Sequence, residues 1–339
     1  MKKILDENAT INDLAKASGV SVMTISRYFN QPYKVSERTK KKIAIAIEKV
    51  NYQPNAIARS LITKKSYTIG VVVPDIRNPF FNTIYHEIDQ YVKPQGYNLL
   101  LCNTQENPEE EISALKTLLS RSVDGVIISP VSIKAVEFLQ KRKSTFVLVD
   151  RKFDDVETTY IGCDHYNGMR EAVEYLIRLG HRDIALISGP ENLYPFAKRN
   201  QAYKDVLEHN DIPFNPDFLF NVDITNPQKA YDATIKILNA EKLPTAVVAA
   251  NNNIGTGALK AFFEKSISIP DDLSFLVFDK ITGYDLIKPR ITCVVQPIEF
   301  MGKNAAVFLL DMIKNENAKI SRALILPEIV QGESCKRIL

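Results

Sequence analysis

A group of side chains suited to contacting DNA lies within ten positions near the start of the chain: Ser21, Val22, Met23, Thr24, Ser26, Arg27 and Asn30. The guanidinium of Arg27 matches the O6 and N7 acceptors of guanine, because it donates two parallel hydrogen bonds. Val22 and Met23 cannot read bases by hydrogen bonding, so we predict that they contact thymine methyl groups or exclude other bases by shape. Thr24 and Asn30 are predicted to bind phosphates, which fixes the register without reading sequence.

The flanking residues predict helices that would position this group. Thr10 followed by Asp13 is typical of a helix N-cap, and Ser21 is placed to cap a second helix after a turn that contains Gly19. Ser36 is placed to begin a third helix. This order is that of a helix-turn-helix motif, whose second helix presents its N-terminal end to the major groove. Periodicity alone is also compatible with three packing helices of any small bundle.

Charge is segregated along the chain. Residues 1–65 contain 13 Lys and Arg against 5 Asp and Glu and carry +8, whereas residues 66–339 carry −5, within a total of +3. A basic head on a mildly acidic body is what attraction to a polyanion requires, although a solvated basic face would look the same.

Composition and motifs favour a cytoplasmic, multidomain protein without catalytic function. A chain of 339 residues exceeds one ordinary domain, and it has neither a membrane-length apolar stretch nor a secretion signal at its start. The four cysteines are far apart and belong to no ligand cluster, which predicts reduced thiols and no metal site. GxSxG, P-loop, HExxH and GxGxxG patterns are absent, so neither an enzyme nor a cofactor is indicated.

From Tyr67 onward, short apolar runs alternate with longer amphipathic segments, which predicts βαβ units and parallel sheets. The predicted strands are 69–73, 98–101, 126–128, 146–149, 184–187, 246–249 and 275–278. The predicted helices are 80–92, 109–119, 133–139, 166–179, 199–209, 228–238 and 254–264. An α/β body of two doubly wound parallel-sheet lobes follows from this series.

Specific sequence segments link the basic head and the body to one family. The head contains TINDLAKASGVSVMTISRYFN and PNAIARSL, and the body contains IGVVVPDIRNPFF, SVDGVIISP, AANNNIGTGALKAF and ITCVVQPIEFMG. Over essentially its whole length the chain resembles the LacI/GalR family, that of the lactose and purine repressors. The resemblance implies a DNA-binding headpiece at residues 1–53, a hinge helix and linker at 54–66, and an effector-binding and dimerisation domain of the periplasmic-binding-protein type at 67–339. It further implies lobe one at 67–162 and 293–322 and lobe two at 163–292 and 323–339, with crossings near Cys163, Thr292 and Ala323.

By the same resemblance, residues 54–61 form a hinge helix that enters the minor groove. Asn55 and Ala58 would lie at this contact, where the small Ala58 allows close approach, and Leu61 would act as an apolar wedge. A helix this short is marginal in isolation, so we expect it only where two copies pack together on DNA. The implied partners are therefore a second copy of the chain and a near-palindromic, double-stranded operator. The dimer surface is expected along both lobes.

The resemblance also assigns an effector site between the lobes: Phe80, Phe81, Ser129, Asp150, Arg199, Asn251, Asp279 and Gln296. Carboxylate, amide and guanidinium groups suit the vicinal hydroxyls of a sugar, and an aromatic ring suits its CH face. Taken singly, Asp150, Asn251 and Asp279 could equally serve as helix caps or turn residues. Asp164 and His181 are interpreted as structural.

At three places the sequence differs from the pattern usual in this family, and these differences affect the predicted charge of the ligand. Asn252 and Lys280 stand where Asp is usual, and Ile224-Thr225 stands where an aromatic residue is usual. Together with Lys198 and Arg199, these changes predict a bias toward an anionic ligand such as a sugar acid or sugar phosphate.

Other functions remain open from sequence. The body could dock a phosphocarrier protein or a corepressor in place of a sugar. A solute-binding protein would need a secretion signal and has no use for a basic head. A sugar-type effector favours an inducible repressor of carbohydrate-utilisation genes, but the sequence does not fix whether the ligand releases the operator or promotes its binding.

Overall fold

A computed structural model describes residues 9–52, 65–315 and 317–338, except for the side chain of Asn30. The chain divides into two compact units, Met1–Ser66 and Tyr67–Leu339. Within the described residues, no helix combines the length and apolar character needed to cross a membrane.

Residues 9–52 of the first unit form three α-helices: α1 (Ile11–Ser18), α2 (Val22–Asn30) and α3 (Glu37–Val50). Thr10 and Asp13 form a reciprocal capping box at α1, and the hydroxyls of Ser21 and Ser36 cap α2 and α3. Gly19 ends α1 in the left-handed conformation at φ +68°, which glycine adopts without strain. The helices close over a core formed by the side chains Leu14, Ile25, Ile43 and Ala46.

The second unit contains two six-stranded sheets. Its strands are β1 (Thr68–Val73), β2 (Asn98–Asn103), β3 (Gly125–Ile128), β4 (Phe146–Val149), β5 (Tyr160–Cys163), β6 (Ile184–Ser188), β7 (Leu219–Asn221), β8 (Ala246–Ala249), β9 (Ser274–Phe278), β10 (Thr292–Val295), β11 (Arg322–Ile325) and β12 (Glu328–Val330). The first sheet has the order β11-β5-β4-β3-β1-β2 and the second β12-β10-β9-β8-β6-β7. All neighbours are parallel except β10 and β12.

Helices connect these strands. They are α4 (Pro79–Val92), α5 (Pro108–Ser120), α6 (Ile133–Lys141), α7 (His165–Arg178), α8 (Tyr194–His209), α9 (Pro227–Leu238), α10 (Asn252–Glu264) and α11 (Ile298–Lys314). Central strands such as β3, β4, β8 and β9 are buried along their whole length, as expected for parallel strands covered on both faces. The expected α/β architecture of two doubly wound lobes is confirmed.

Six of these elements were not predicted: the helix α11 and the strands β5, β7, β10, β11 and β12. Of these, β7, β11 and β12 lie at sheet edges, where they are three or four residues long and only partly buried, so they lack a continuous apolar run. The helix predicted from Arg199 begins at Tyr194, because Pro195 is compatible with its first turn. Arg199 therefore lies in the second turn of α8.

The chain crosses between the two sheets at three places. The first crossing follows β5, at the predicted Cys163, because α7 packs with α8, β10 and β12. The second follows β10, which pairs with β9, so the predicted crossing at Thr292 is a few residues too early. The third separates β11 from β12 at 326–327, whereas the prediction was Ala323. Residues 293–295 thus belong with the second sheet, and 323–325 with the first.

Candidate DNA-reading surface and effector cleft

The surface of α2 divides into a packing side and an exposed side. Ile25 is fully buried, and Phe29 packs against the same core, as predicted. Val22 and Met23 are 38% and 64% exposed, and the side chain of Arg27 is also exposed. Val22 and Met23 lie in the first turn of α2, and Arg27 lies in its last turn, four positions after Met23 and so on the same side of the helix. This exposed side is arranged as a base-reading surface requires.

Local hydrogen bonds fix the start of this helix. Ser21 Oγ accepts a hydrogen bond from the Thr24 backbone N–H at 3.2 Å and lies 2.9 Å from Thr24 Oγ1. Ser26 is half-buried. Capping therefore uses part of the hydrogen-bonding capacity of Ser21 and Thr24. Val22, Met23 and Arg27 are exposed, as is Ser21, and these three take no part in the cap. Asn55, Ala58 and Leu61 lie outside the described residues, and their roles stay predictions.

A cleft lies between the two sheets at the carboxyl ends of their strands. It contains about 530 Å³ of space between atoms, part of it open to solvent. Seven of the eight predicted effector residues line it: Phe80, Phe81, Asp150, Arg199, Asn251, Asp279 and Gln296. Ser129 is buried at the end of β3 and is not part of the lining. Ile224 and Thr225 line the cleft, so no aromatic ring stands at that position.

Two lining carboxylates follow strand ends in a strained conformation. Asp150 follows β4 and Asp279 follows β9, and both have positive φ, at 66° and 74°. This left-handed region is unfavourable for residues with a side chain, and such strain concentrates at functional sites. Both residues are at least 93% buried. Tight turns at the ends of parallel strands therefore bring two carboxylates into one cleft.

Arg199 is held rigidly in the wall of the cleft. Its Nη1 donates a hydrogen bond to the carbonyl of Ala250 at 2.5 Å, and its Cζ lies 3.6 Å from the centroid of the Phe278 ring. Its Nη2 lies 3.0 Å from Nδ1 of His165. Burial lowers the pKa of Arg199, whereas Asp279 and Asp150 oppose that shift.

Asp279 and Gln296 form a second polar pair. Gln296 Nε2 donates hydrogen bonds to both carboxylate oxygens of Asp279, at 2.8 and 3.0 Å. Gln296 Oε1 is buried and has no hydrogen-bond partner within the described part of the chain. Burial raises the pKa of Asp279 to about 6, although Arg199 acts in the opposite direction. The pair therefore presents acceptor oxygens that a ligand hydroxyl could satisfy.

The first sheet contributes an ion pair and an aromatic pair. Arg151 donates two hydrogen bonds to Glu106, at 2.6 and 2.7 Å, and its guanidinium lies 6.0 Å from the Phe81 ring centroid. Phe80 and Phe81 contact each other edge to face, with centroids 5.0 Å apart. Sequence reasoning missed Arg151 and Glu106. The signal for Arg151 was its position beside Asp150 at a strand end.

Phe196 and His165 were also missed. Phe196 lines the cleft and lies three positions before Arg199, so the two share one face of α8. His165 is the first residue of α7, next to the predicted N-cap Asp164, which accepts a hydrogen bond from the backbone N–H of Asn167.

Asn251 acts as the N-cap of α10, because its Oδ1 accepts a hydrogen bond from the backbone N–H of Ile254 at 2.8 Å. Asn252 reaches across the cleft and donates a hydrogen bond to Asn78 Oδ1 at 2.9 Å. His181 lies in hydrogen-bond contact with Thr245 and the Lys336 carbonyl, in agreement with a structural role.

The two lysines expected to favour an anionic ligand do not line the cleft. Lys198 pairs with Asp154 at 3.4 Å, and Lys280 lies over the Tyr284 ring. The charged lining consists of the carboxylates Asp75, Glu106, Asp150 and Asp279 and the guanidiniums Arg151 and Arg199. Acidic groups outnumber basic ones in this lining, but Lys280 lines an adjoining cavity that shares Phe80, Asp279 and Gln296 with the cleft. The bias toward an anionic ligand therefore stays a prediction.

Asp279→Asn tests the electrostatics of the cleft. The pKa of the Asp279 carboxyl rises from 3.8 in the unfolded chain to about 6 in the folded protein. Between these two pH values the folded state therefore holds a proton that the unfolded state has lost. Stability from this group is therefore present at low pH and is lost as pH rises from about 4 to about 6. Between pH 4 and pH 7, we expect the wild type to lose roughly 1–3 kcal/mol of unfolding free energy relative to Asp279→Asn. Urea unfolding of both proteins at each pH measures this difference, and equal pH dependence would contradict the assignment.

Comparisons with known proteins agree with this division of the chain. The family profile described as "Bacterial regulatory proteins, lacI family" matches residues 10–55, and "Periplasmic binding protein-like domain" matches residues 173–335. The HTH-type transcriptional repressor PurR of Histophilus somni (strain 2336) is 32% identical, over 97% of this chain and all of the relative.

Two solved structures are similar over most of the chain. The lac repressor dimer bound to operator and the anti-inducer ONPF has 26% identity and a TM-score of 0.87, with 97% of this chain and 100% of that chain covered. A LacI family transcriptional regulator from Enterococcus faecium with bound ribose has 31% identity and a TM-score of 0.70, with 80% and 100% covered.

Proposed function

Because this chain belongs to the lacI family of bacterial regulatory proteins, we propose that it is a transcriptional repressor whose first unit binds a palindromic operator and whose second unit binds a sugar-type effector that releases it. The main support for this proposal is that one chain contains both a DNA-reading surface and an effector cleft. An exposed, arginine-bearing helix-turn-helix lies in one unit, and a polar cleft between two sheets lies in the other.

Operator binding is supported by the chemistry of α2. Arg27 supplies a bidentate donor for guanine, and Val22 and Met23 supply apolar contacts for thymine methyl groups. A single headpiece has few such contacts, so two copies are needed for specificity. The lac repressor dimer of similar fold is bound to operator, and we propose the same use for this chain.

An uncharged, hydroxyl-rich effector fits the cleft better than an anion. Asp150, Asp279 and Gln296 present acceptor oxygens, which sugar hydroxyls satisfy by donating hydrogen bonds. A carboxylate or phosphate would instead meet the excess of acidic groups. The ribose bound by the Enterococcus faecium regulator is a ligand of this class.

A dimer is supported by exposed apolar groups on the second unit. Phe263 on α10 and Leu286 are both 87% exposed, the largest exposed fraction among the large apolar side chains of the described residues, and we propose that both lie in the dimer interface. We expect Phe263→Glu combined with Leu286→Glu to give a monomer and to weaken operator binding, since the burial of a charge in the interface is unfavourable. Sedimentation velocity measures the mass. Phe214→Glu, at another exposed phenylalanine, is the control and should remain dimeric. A double variant that stays dimeric would exclude Phe263 and Leu286 from the interface.

One experiment tests the proposed function as a whole. Selection from a randomised duplex library should return a near-palindromic site, and a panel of neutral sugars, sugar acids and sugar phosphates is then titrated against the complex. Release by a neutral sugar supports the proposal. Recovery of random DNA contradicts operator binding, and release only by a phosphocarrier protein would favour the protein-docking alternative.

A further inference from the structure

His165 connects groups from both sides of the cleft. It begins α7, immediately after the first crossing between the sheets, and its side chain is fully buried. Its Nδ1 lies 3.0 Å from Arg199 Nη2, in the second lobe. Its Nε2 lies 3.5 Å from Asp150 Oδ1, at the end of β4 in the first lobe, and this contact is electrostatic, because Nε2 forms no hydrogen bond within the described residues. The imidazole therefore lies between the cationic and anionic side chains assigned to the effector.

The partners of the ring determine its protonation. A guanidinium has donors but no acceptor, so His165 Nδ1 must present a lone pair to Arg199. The single ring proton then resides on Nε2, which faces the Asp150 carboxylate. Burial first, and next the positive charge of Arg199, lower the pKa of His165, while the contact with Asp150 opposes that shift. A doubly protonated ring would direct an N–H at a cation, which is unfavourable in a buried site.

Three contacts define the position of the Arg199 guanidinium. The Ala250 carbonyl and the Phe278 ring fix one edge and one face, and His165 is the acceptor for Nη2. Arg199 Nε is buried without a hydrogen-bond partner in the described residues. Without His165, the Nη2 edge would lose its acceptor, and the link from Arg199 to Asp150 across the cleft would be broken.

We propose that His165, as a neutral imidazole protonated on Nε2, is the positioning residue that orients Arg199 in the cleft and couples it to Asp150 of the opposite lobe. This role rests on the proposed function of the cleft for its biological meaning. The geometry itself requires no ligand.

The full-length protein with ¹⁵N-labelled histidine and arginine provides a ligand-free test. His165 is assigned by the signals that disappear in His165→Asn. At pH 7 we expect one protonated and one unprotonated ring nitrogen, with the proton on Nε2, and we expect the unprotonated nitrogen to shift in Arg199→Met. A proton on Nδ1, a doubly protonated ring, or no change in Arg199→Met would overturn the proposal.

A matched pair of variants tests positioning. His165→Asn retains an acceptor close to the place of Nδ1, whereas His165→Leu has similar bulk and none. We expect the Arg199 guanidinium protons to exchange with solvent about tenfold faster or more in His165→Leu, as for loss of one hydrogen bond to a charged group, and near the wild-type rate in His165→Asn. Equal exchange in both variants would show that His165 only fills space. Failure of all sugars to release the operator would contradict the proposed function and leave these spectra unchanged.

Discussion

Arg199→Ala protein is expected to bind the operator with wild-type affinity and to stay bound at effector concentrations that release the wild type. Arg199 lies in the wall of the cleft, within the second unit, where its guanidinium can donate to ligand oxygens. Loss of a buried, charge-assisted hydrogen bond to the ligand removes about 2–5 kcal/mol of binding free energy, or more than tenfold in the required concentration. Operator release followed by fluorescence anisotropy measures the effect.

Lys198→Ala is the matched control for this prediction. Lys198 is adjacent in sequence, carries the same charge and pairs with Asp154 outside the cleft lining, so release should remain near wild type. Because Arg199 is buried, Arg199→Met, which retains an apolar contact with Phe278, is used alongside the alanine variant. Release of both Arg199 variants at the wild-type effector concentration would contradict the cleft assignment. Loss of operator binding in both would show that Arg199 maintains the fold.

Arg27→Ala is expected to weaken specific operator binding by roughly 1–3 kcal/mol for each recognition helix and to relax the preference at one symmetric pair of bases. Arg27 lies in the last turn of α2, where its guanidinium is exposed and suited to a bidentate contact with guanine. Selection on a randomised operator library, followed by affinity measurement at fixed salt, detects both changes.

Lys16→Ala separates base reading from general attraction to DNA. Lys16 is exposed on α1 and its removal changes the net charge by the same amount. We expect a modest, sequence-independent loss of affinity and an unchanged selected motif. If Arg27→Ala returned the same motif as wild type, Arg27 would contact phosphate instead of a base.

Local signals were sufficient for much of the architecture. The capping residues Thr10, Ser21 and Ser36 define where the three helices of the first unit begin, because their side chains satisfy backbone N–H groups without distant partners. The buried central strands β3, β4, β8 and β9 were predictable from continuous apolar runs. The edge strands β7, β11 and β12 were not, because each depends on a neighbouring strand for its hydrogen bonds and has little apolar pattern of its own.

Residue type alone did not predict which side chains line the cleft. The family resemblance assigned eight effector residues, and seven of them line one cavity. Ser129 does not, although it also follows a strand, and Lys198 and Lys280 lie outside although their charge suggested a role. Sequence reasoning missed His165, because a lone histidine at a helix start gives no local sign of its partners.

The sequence by itself determined the helix-turn-helix head, the two-lobed α/β body and the segregation of charge, since these depend on caps, periodicity and composition within short windows. Only the tertiary structure decided which charges share the cleft, because the pairings of Arg199 with His165 and of Arg151 with Glu106 join residues 34 and 45 positions apart. Burial then sets the consequences. It raises the pKa of Asp279 and lowers that of His165, since desolvation acts on a charge according to its three-dimensional surroundings, which residue type alone does not specify.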